Sequence, residues 1–558
     1  MGLRATAARV GVTDMNEKVT VGEVVARILE AHGVSDVYGV ISIHNLPIAD
    51  AIGRRDNIHF VCARGEAGAA SMADAHGRFK GLGVCLTSTG AGAGNAIGSL
   101  IEACNAASPL LHITGQVESE YLDRDASFIH EAKDQLGYLK AASKAAYRIS
   151  HPEQVVGIVN EAIRVARTVP MGPVSIEIPI DVQATEMVLP ANLAPVAAAA
   201  MPEASETELN ELLQQLQNAR RPILWVGGGA NDCIEEVAAL ANKGIPVVST
   251  THARGLLPDS HPRSLRAFHN SPAVKQLLAE SDCVLVVGSR LRSNETASYS
   301  TEFGSPMIQI DAYPGAYNRN YQVDQFICSD CKPVLGYLGD QLADKSDRSY
   351  DEQIQRAVVQ SESALIEQVG NYANICSALR EALPQDGIFV RDITVSGSTW
   401  GSRLMTFEQP NQNIHSLAGA IGLGLAHGIG CARANPDKKV ATIVGDGGLM
   451  LGIGELATMV QENTDMVLIV MNDGGYGVMR GIQNNYFGGR QYFNQLHTPD
   501  YSEVGRAMNM ASWKVASVEA FAEAIQQAIS LAGPALIEVD MSGVGPLEFS
   551  GPPQKKLY

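Results

Sequence analysis

The sequence lacks the features that mark membrane, secreted and nucleic-acid-binding proteins. No apolar run approaches the ~20 residues of a transmembrane helix, and the N-terminus has no apolar signal-peptide core. Positive charge is scarce, because 42 Lys and Arg residues face 60 Asp and Glu residues. The net charge of −18 argues against a surface that binds nucleic acid or anionic lipid. We therefore expect neither nucleic acid nor a membrane as a partner.

The sequence also lacks the two Cys-x-x-Cys pairs that are typical of a zinc site. Cys328 and Cys331 form the only Cys-x-x-Cys, and without a second pair a zinc site is not expected. The nine cysteines lie in apolar segments, as buried free thiols do. The expected location is therefore the reducing cytoplasm.

The length and pattern of the chain predict three α/β domains. At 558 residues the chain is too long for one hydrophobic core. From Thr20 onwards, short apolar strands alternate with helical segments, which is typical of doubly wound parallel sheets. The predicted organisation is a disordered lead at 1–15, a first domain at 16–188, a linker at 189–204, a middle domain at 205–343, a linker at 344–370 and a last domain at 371–558.

Two glycine clusters are candidates for dinucleotide binding, but their spacing is wrong. After Gly227-Gly228-Gly229, the third glycine of G-x-G-x-x-G is replaced by Asp232. The cluster at 90–94 fails in the same way at Asn95 or Ile97. We interpret the first cluster as a strand-to-helix turn, and we expect the second to line the wall of a site. An NAD-dependent dehydrogenase is therefore weakly supported.

Two carboxylates follow two predicted strands of the last domain. The apolar run before Gly445-Asp446-Gly447 predicts a buried strand, with a tight turn at the glycines and a helix at 452–461. A second apolar run ends at Asn472-Asp473. The carboxyl ends of parallel strands and nearby helix N-termini bind phosphate, and hard oxygen ligands suit Mg²⁺ or Ca²⁺. The pattern predicts a clamp for a metal ion and a diphosphate, with an ordinary turn as the alternative.

This pattern resembles the signature of thiamine diphosphate (ThDP) enzymes, in which Gly-Asp-Gly and a distal Asn-Asn pair hold the metal. The resemblance implies that Asp446, Asp473 and the carbonyl of Gly475 are the metal ligands. Asp473 departs from the family, which more often has Asn, but Asp is also an acceptable hard ligand. The residues expected beside the diphosphate are Gly445, Gly447, Gly448 and Tyr476.

A glutamate in the first domain matches the other half of this signature. Glu66 follows a predicted strand and opens a helix, where an isolated Glu usually complements the helix dipole. In ThDP enzymes the corresponding Glu bonds N1′ of the aminopyrimidine, and the resemblance implies that role here. The role demands a carboxyl group that can give and take a proton in a buried pocket. Gly65 and Ala67 replace the His and Gln that often flank this Glu.

Two further segments of the last domain resemble cofactor-binding loops of the family. The resemblance implies that the Gly419 carbonyl accepts from the 4′-amino group and that Ile421 wedges under the thiazolium. An apolar helix start is the alternative for this segment. Ser396 and Gly397, after another predicted strand, are the candidates for the first diphosphate loop.

The resemblance covers about residues 19–553 and follows the domain order of the acetolactate synthase and benzoylformate decarboxylase group. It implies pyrimidine-binding, middle and diphosphate-binding domains in a homodimer or homotetramer. Each site would form between two subunits, so that Glu66 and Asp446 come from different chains. Some relatives bind FAD or ADP in the middle domain, but Gly288–Asn294 matches that segment only partly, and neither nucleotide is favoured.

The substrate is less well defined than the cofactor. His44 and His130 lie in segments that border the site in relatives and could relay protons, although packed or solvated histidines are the alternative. Ser88 is a lesser catalytic candidate. The serine and first histidine of benzoylformate decarboxylase fall on Ile43 and Ser88, which disfavours plain decarboxylation of an aryl 2-oxo acid.

The expected activity is ThDP- and Mg²⁺-dependent cleavage or formation of a C–C bond of a 2-oxo acid or related dicarbonyl. The apolar lining and the missing histidines favour acetolactate synthase-like carboligation. The alternatives are a 2-oxo acid decarboxylase, a diketone-cleaving enzyme, and a non-catalytic nucleotide- or metal-binding protein on the same fold.

Overall fold

The computed structural model describes residues 17–549, so the predicted lead lies outside the described residues. Three parallel β-sheets, each flanked by helices, follow one another along the chain. This confirms the predicted α/β class with doubly wound sheets. The exact domain and linker boundaries stay predictions.

The first unit contains a six-stranded parallel sheet in the order β3-β2-β4-β5-β7-β6, and β1 pairs antiparallel with β8. The edge strand β6 is short and only partly buried, and it was not predicted from the sequence. The strands are β1 (Lys18–Thr20), β2 (Asp36–Gly39), β3 (His59–Cys62), β4 (Gly83–Thr87), β5 (Leu110–Gln116), β6 (Ala145–Arg148), β7 (Pro173–Pro179) and β8 (Glu186–Val188). The helices are α1 (Val21–Ala31), α2 (Leu46–Gly53), α3 (Glu66–Lys80), α4 (Ala91–Asn95), α5 (Ile97–Ala106), α6 (Gln135–Ala142), α7 (Val155–Arg167) and α8 (Ile180–Ala184).

The middle unit is a five-stranded parallel sheet in the order β10-β9-β11-β12-β13. The long helix α13 leads from this unit to the next, within the stretch predicted to be a linker at 344–370. The strands are β9 (Pro222–Val226), β10 (Val247–Ser249), β11 (Cys283–Val287), β12 (Met307–Asp311) and β13 (Gln325–Cys328). The helices are α9 (Glu206–Asn218), α10 (Ile234–Asn242), α11 (Pro272–Glu280), α12 (Cys331–Gln341) and α13 (Arg348–Val369).

The third unit is a six-stranded parallel sheet in the order β15-β14-β16-β17-β19-β18. Its strands are β14 (Ile388–Arg391), β15 (Asn413–His415), β16 (Val440–Gly445), β17 (Met466–Asn472), β18 (Ala511–Val515) and β19 (Ala535–Asp540). Its helices are α14 (Tyr372–Ala382), α15 (Val395–Ser398), α16 (Trp400–Arg403), α17 (Gly424–Ala434), α18 (Asp446–Gly452), α19 (Glu455–Gln461), α20 (Gly477–Tyr486), α21 (Tyr501–Ala507), α22 (Val518–Ser530) and α23 (Met541–Val544).

Each large sheet reverses its strand order beside the strand of that sheet that comes first in the sequence, between β2 and β4, between β9 and β11, and between β14 and β16. At such a point the connections leave in opposite directions and open a crevice at the carboxyl ends of the strands, where ligands bind in α/β sheets. The geometry of the sheets therefore offers three crevices.

The tight turn predicted at Gly445-Asp446-Gly447 is wrong. Strand β16 ends at Gly445, whose φ of −86° is ordinary, and α18 begins at the next residue. The helix predicted at 452–461 corresponds to α19, which begins at Glu455, and α18 precedes it. The low helix propensity of the glycines is overridden by packing against the sheet. The first N–H groups of α18 therefore lie at the end of the strand.

The first and third units pack tightly through helices α3 and α17. A Cβ atom placed on Gly430 of α17 would lie 2.3 Å from the Met72 carbonyl oxygen of α3, so the two backbones are in direct contact. Beside this crossing, the buried Asp74 carboxylate bonds Arg78 at 2.6 Å and lies 3.2 Å from Nε2 of His427. His427 therefore lies in α17 and joins this helix to α3 through Asp74.

All nine cysteines lie in the described residues and are free, six of them buried and three partly buried. Within residues 17–549 the helices are all too short or too polar to cross a membrane. The cytoplasmic location stays a prediction.

The helix crossing generates a prediction about stability. Gly430→Val inserts a branched side chain where the Met72 backbone already lies, and such overpacking should cost about 2–3 kcal/mol and lower the Tm. Gly157→Ala is the matched control, because Gly157 is an exposed residue of α7 with open space around its Cβ position. That change should raise stability by roughly 0.5–1 kcal/mol. Thermal unfolding checks both, and an unchanged Tm for Gly430→Val would contradict the close crossing.

Candidate functional site

The structure brings Asp446 and Asp473 together. Strands β16 and β17 pair in parallel, with Gly445 opposite Met471, so both acidic residues follow at the same edge of the sheet. The backbone N–H of Asp473 lies 3.4 Å from Oδ1 of Asp446. The proximity expected from the two strand ends is confirmed.

Each of these carboxylates has a buried oxygen with no hydrogen-bond partner in the part of the chain that the structure describes. The two atoms are Oδ2 of Asp446 and Oδ1 of Asp473. Burial raises the pKa of Asp446 to about 6, and the charge of Asp473 adds to the shift. Burial also raises the pKa of Asp473. Buried, unpaired carboxylate oxygens are costly unless a cation binds them, so this donor set fits a hard divalent ion.

Between Glu17 and Phe549, the structure places no three His, Cys, Asp or Glu side chains where they could hold a metal ion. A metal bound by Asp446 and Asp473 therefore needs backbone or ligand oxygens as well. Gly475, two residues after Asp473, has a φ of +149°. A Cβ atom at Gly475 would lie 2.0 Å from the Asn494 carbonyl oxygen, so only glycine fits there.

The segment at 494–496 covers this part of the clamp. The N–H of Tyr476 donates to the Asn494 carbonyl at 2.8 Å, and that of Leu496 donates to Gly474 at 3.2 Å. The Tyr476 ring lies against Gly447, where an added Cβ would be 2.8 Å from the ring. Tyr476 therefore lies beside the start of α18, near the diphosphate position expected for it.

Ser396 and Gly397 lie on the neighbouring strand end. They belong to α15, which follows β14, and β14 is paired with β16. The Gly397 N–H donates to Oγ1 of Thr394 at 2.7 Å. The Ser396 hydroxyl is fully buried and has no partner among the described residues. A polar ligand at this edge of the sheet could satisfy it.

Asp392, directly after β14, is a residue of this sheet edge that was not predicted from the sequence. Its carboxylate accepts from the N–H groups of Ile393 and Gly422, each at 2.8 Å. Burial raises the pKa of Asp392 to about 6. A Cβ on Gly448 would lie 3.1 Å from Oδ2 of Asp392, so this carboxylate joins the Gly422 loop to α18. Its position after a strand, like that of Asp446, was the available signal.

The loop that contains Gly419 and Ile421 is anchored by a residue of the first unit. Glu102 of α5 is fully buried and accepts from the Ser416 hydroxyl at 2.7 Å and from the Ala418 N–H at 2.9 Å. Gly419 then takes a φ of +85°, and Ile421 stays partly exposed. The alternative of a helix start is wrong here, because α17 begins only at Gly424.

In the first unit, Glu66 begins α3 beside the glycine cluster. Its Oε2 accepts from Nδ2 of Asn95 at 3.1 Å. A Cβ on Gly92 would lie 2.7 Å from Oε1 of Glu66 and 2.6 Å from the side chain of Ser88. The cluster therefore forms the wall next to Glu66, as expected. The single chain leaves Glu66 partly exposed, so it does not itself provide the buried pocket expected for this residue.

A second glutamate links the start of α3 to the third unit. Oε1 of the buried Glu455 accepts from the Arg64 N–H at 3.0 Å, and a Cβ on Gly68 would lie 2.2 Å from the same oxygen. Glu455 begins α19, whereas Asp446 begins α18, a helix roughly 10 Å long. In the described residues, no hydrogen bond or ion pair joins Glu66 to Asp446. Arg64 and Gly68, which flank Glu66, thus contact the residue that begins α19, whereas Asp446 begins α18.

His44 and His130 meet near the end of β2. Their rings make an edge contact with centroids 5.2 Å apart. His44 is buried, its Nδ1 has no partner in the described chain, and burial together with His130 lowers its pKa. His130 is exposed and has a φ of +65°. Ser88 is buried at the end of β4, and its carbonyl accepts from Oγ1 of Thr114 at 2.7 Å.

A cavity of about 580 Å³ occupies the crevice of the middle sheet, where the three units meet. Gly227 and Gly288 line it after β9 and β11, and Arg78, Arg290 and Arg292 bring positive charge. A short 3₁₀ turn at Gly228–Ala230 confirms the strand-to-helix turn predicted for the first glycine cluster.

Three family models match the chain in order. They describe thiamine pyrophosphate enzymes: the N-terminal TPP binding domain at residues 19–138, the central domain at 209–338 and the C-terminal TPP binding domain at 394–539. Among curated proteins, the chain is 28% identical to the acetolactate synthase isozyme 1 large subunit of Escherichia coli K12, over 95% of both chains. It is 27% identical to a probable acetolactate synthase large subunit of Methanococcus aeolicus, over 96% of this chain and 94% of that protein. It is also 27% identical to acetolactate synthase 2 of Zea mays, over 94% of this chain and 86% of that protein.

The raised pKa of Asp392 generates a pH prediction. The folded value of about 6 lies above the ~3.9 of an unfolded Asp, so folding favours the protonated form. The contribution of Asp392 to stability is present at low pH and is lost as pH rises from about 4 to 6. Asp392→Asn removes this dependence. In metal-free buffer, the Tm of the wild type relative to the variant should therefore be higher at pH 5 than at pH 7.5. An equal difference at both pH values would contradict the assignment.

Proposed function

Because the chain belongs to the thiamine diphosphate enzymes of the acetolactate synthase type, we propose that it uses ThDP and Mg²⁺ to act on a 2-oxo acid or related dicarbonyl. Carboligation like that of acetolactate synthases is the favoured reaction. The observation that carries the proposal is the pair of buried, unpartnered carboxylate oxygens of Asp446 and Asp473 at one strand edge. A metal–diphosphate group would satisfy both.

The residues of the third unit would hold the cofactor. Asp446, Asp473 and the Gly475 carbonyl are proposed as metal ligands, and Ca²⁺ could replace Mg²⁺. The diphosphate would lie against N–H groups at the start of α18, which carry the positive end of the helix dipole. When bound, the cofactor supplies the electron sink for C–C chemistry. The residues proposed to contact it are Ser396, Gly397, Gly419, Ile421, Gly445, Gly447, Gly448 and Tyr476.

Glu66 is proposed as the residue that bonds N1′ of the aminopyrimidine and exchanges a proton there. Its place against Gly92 supports the proposal, because glycine at this position leaves room for a ring beside the carboxylate. Asn95 holds the other oxygen and so fixes the orientation of the carboxyl group. A carboxyl group of this kind acts efficiently only when water is excluded.

We propose that a second copy of the chain excludes that water, in a homodimer or homotetramer. Large apolar side chains are exposed beside both half-sites: Ile43 is 61% exposed near His44, and Leu451 is 62% exposed on α18. Exposed apolar groups of this size beside a half-formed site favour a protein partner. A twofold interface would set the Glu66 half of one subunit against the Asp446 half of the other.

His44 and His130 are proposed as the proton relay beside the substrate, with Ser88 as a further candidate. The unpartnered Nδ1 of His44 is free to bond a ligand, and its lowered pKa keeps the ring neutral at physiological pH. Ile41 and Ile43 flank this pair and are exposed. Such an apolar border supports carboligation over protonation by water, with 2-oxo acid decarboxylation or diketone cleavage as the alternatives.

The middle cavity has room and positive charge for a nucleotide such as FAD or ADP. Gly288–Asn294 matches the nucleotide-binding segment of relatives only partly, so neither nucleotide is favoured. The absorbance of the purified protein and mass spectrometry of its denatured supernatant decide whether a flavin or an adenine nucleotide copurifies.

A substrate panel tests the function. The protein with ThDP and Mg²⁺ is given single 2-oxo acids, pairs of 2-oxo acids and aldehydes, and diketones, and the products are identified by mass spectrometry. A 2-hydroxy ketone product supports carboligation, whereas an aldehyde alone supports decarboxylation. No turnover of any compound would favour the non-catalytic alternative.

Asp446→Ala should abolish Mg²⁺-dependent ThDP binding, because it removes one of the two carboxylates proposed to hold the metal. Isothermal titration calorimetry with and without Mg²⁺ measures the loss. Asp437→Ala, at an exposed position before β16, is the control and should bind like the wild type. ThDP binding by Asp446→Ala at wild-type affinity would refute the proposed clamp.

Glu66→Gln should slow hydrogen exchange at C2 of bound ThDP by roughly a hundredfold or more, since the amide cannot exchange the proton. The exchange is followed by NMR of acid-quenched samples in D₂O. Glu211→Gln, on the exposed face of α9, should exchange at the wild-type rate. Equal rates for Glu66→Gln and the wild type would rule out the proposed role.

A further inference from the structure

Asp473 carries a charge that Asn, the more frequent residue at this position of ThDP enzymes, does not carry. The structure pairs this additional charge with Arg480. Nη2 of Arg480 lies 2.7 Å from Oδ2 of Asp473 and donates to the Asp473 backbone carbonyl at 2.9 Å. One guanidinium nitrogen therefore binds both the side chain and the backbone of the same residue.

The start of α20 is shaped to admit this ion pair. Gly477 is the first residue of the helix, and a Cβ there would lie 1.8 Å from Oδ2 of Asp473. Arg480 follows one turn later, on the face that returns towards Asp473. Gly477 thus leaves room for Oδ2 of Asp473, and Arg480 binds that oxygen.

The ion pair between Asp473 and Arg480 fixes the orientation of the other carboxylate oxygen of Asp473, Oδ1. With Oδ2 bound by Arg480, Oδ1 of Asp473 is the buried atom that lacks a partner among the described residues. The Asp473 and Arg480 side chains are only 17% and 23% exposed, so water screens their charges weakly. The two ends of the carboxylate therefore have different roles, one towards the arginine and one available for a ligand.

Arg480 also compensates one of the two negative charges of the clamp. Asp446 and Asp473 each contribute one negative charge, and Arg480 returns one positive charge. The clamp then carries one net negative charge, as a clamp of one Asp and one Asn does. Without Arg480, a second uncompensated carboxylate would face an anionic diphosphate, and like charges at short range in a partly buried site repel strongly.

We propose that Arg480 is a positioning residue that neutralises Asp473 and directs its Oδ1 towards the metal, which lets this chain bind a metal diphosphate with two carboxylates. The inference rests on the proposed function, since it assumes that Asp446 and Asp473 hold the metal of ThDP. A purely structural ion pair that only holds α20 in place is the competing explanation.

A double-mutant cycle separates these explanations, using Arg480→Met, Asp473→Asn and the double variant of the full-length protein. Calorimetry measures the Kd of ThDP in saturating Mg²⁺. Arg480→Met should weaken ThDP binding about tenfold or more, because Asp473 is left uncompensated. The double variant has the charge of an Asp–Asn clamp and should bind within about threefold of the wild type. Arg480→Lys keeps the charge and should recover much of the affinity lost in Arg480→Met.

The thermal stability of the cofactor-free variants provides the control for folding. Should Arg480→Met unfold, Arg480→Gln still measures the pair: it should weaken ThDP binding more in the wild-type background than in the Asp473→Asn background. Wild-type affinity in Arg480→Met, or a double variant weaker than both single variants, would overturn the inference and leave the proposed function intact. A wild-type protein that takes up no ThDP in Mg²⁺ would instead refute the proposed function, and the inference with it.

Discussion

The packing of α3 against α17 inside one chain is the constraint on which the candidate site depends. Gly430 brings the two backbones into contact, and Glu455 and Glu102 reach across the same boundary. This arrangement holds Arg64 and Gly68, on either side of Glu66, against the start of α19, whereas Asp446 begins α18. Large apolar side chains are exposed near His44 and on α18, which supports the proposal of a second copy of the chain at the site.

The chemistry of the third unit depends on how each carboxylate at the sheet edge is paired. Asp392 is satisfied by backbone N–H groups and holds the Gly422 loop. Arg480 binds one carboxylate oxygen of Asp473. The other oxygen of Asp473 and one oxygen of Asp446 are buried without a partner in the described chain. Three acids at adjacent strand ends thus differ in role, because their neighbours differ. Only the two with unpaired oxygens remain available to a cation.

Much of this architecture was predictable because it is local. Central strands such as β11 and β16 are continuous apolar runs, and the acids that follow strands mark the sheet edge. The edge strands β6, β13, β15 and β18 were missed because they are short or half exposed, and the central strand β19 was missed although it is buried. Glu102 and Glu455 were missed because each bonds residues more than 300 positions away, and no spacing in the sequence records such a contact.

Subunit complementation tests the central claim, that Glu66 of one subunit and Asp446 of another complete one site. Glu66→Gln and Asp446→Ala subunits are dissociated, mixed in equal amounts and reassembled. Half of the twofold pairs then contain both variants, and each of these has one site free of both changes. The account predicts about a quarter of wild-type turnover in the mixture, although neither variant alone is active. A mixture as inactive as its parents would show that the two residues serve a site within one chain and would contradict the account.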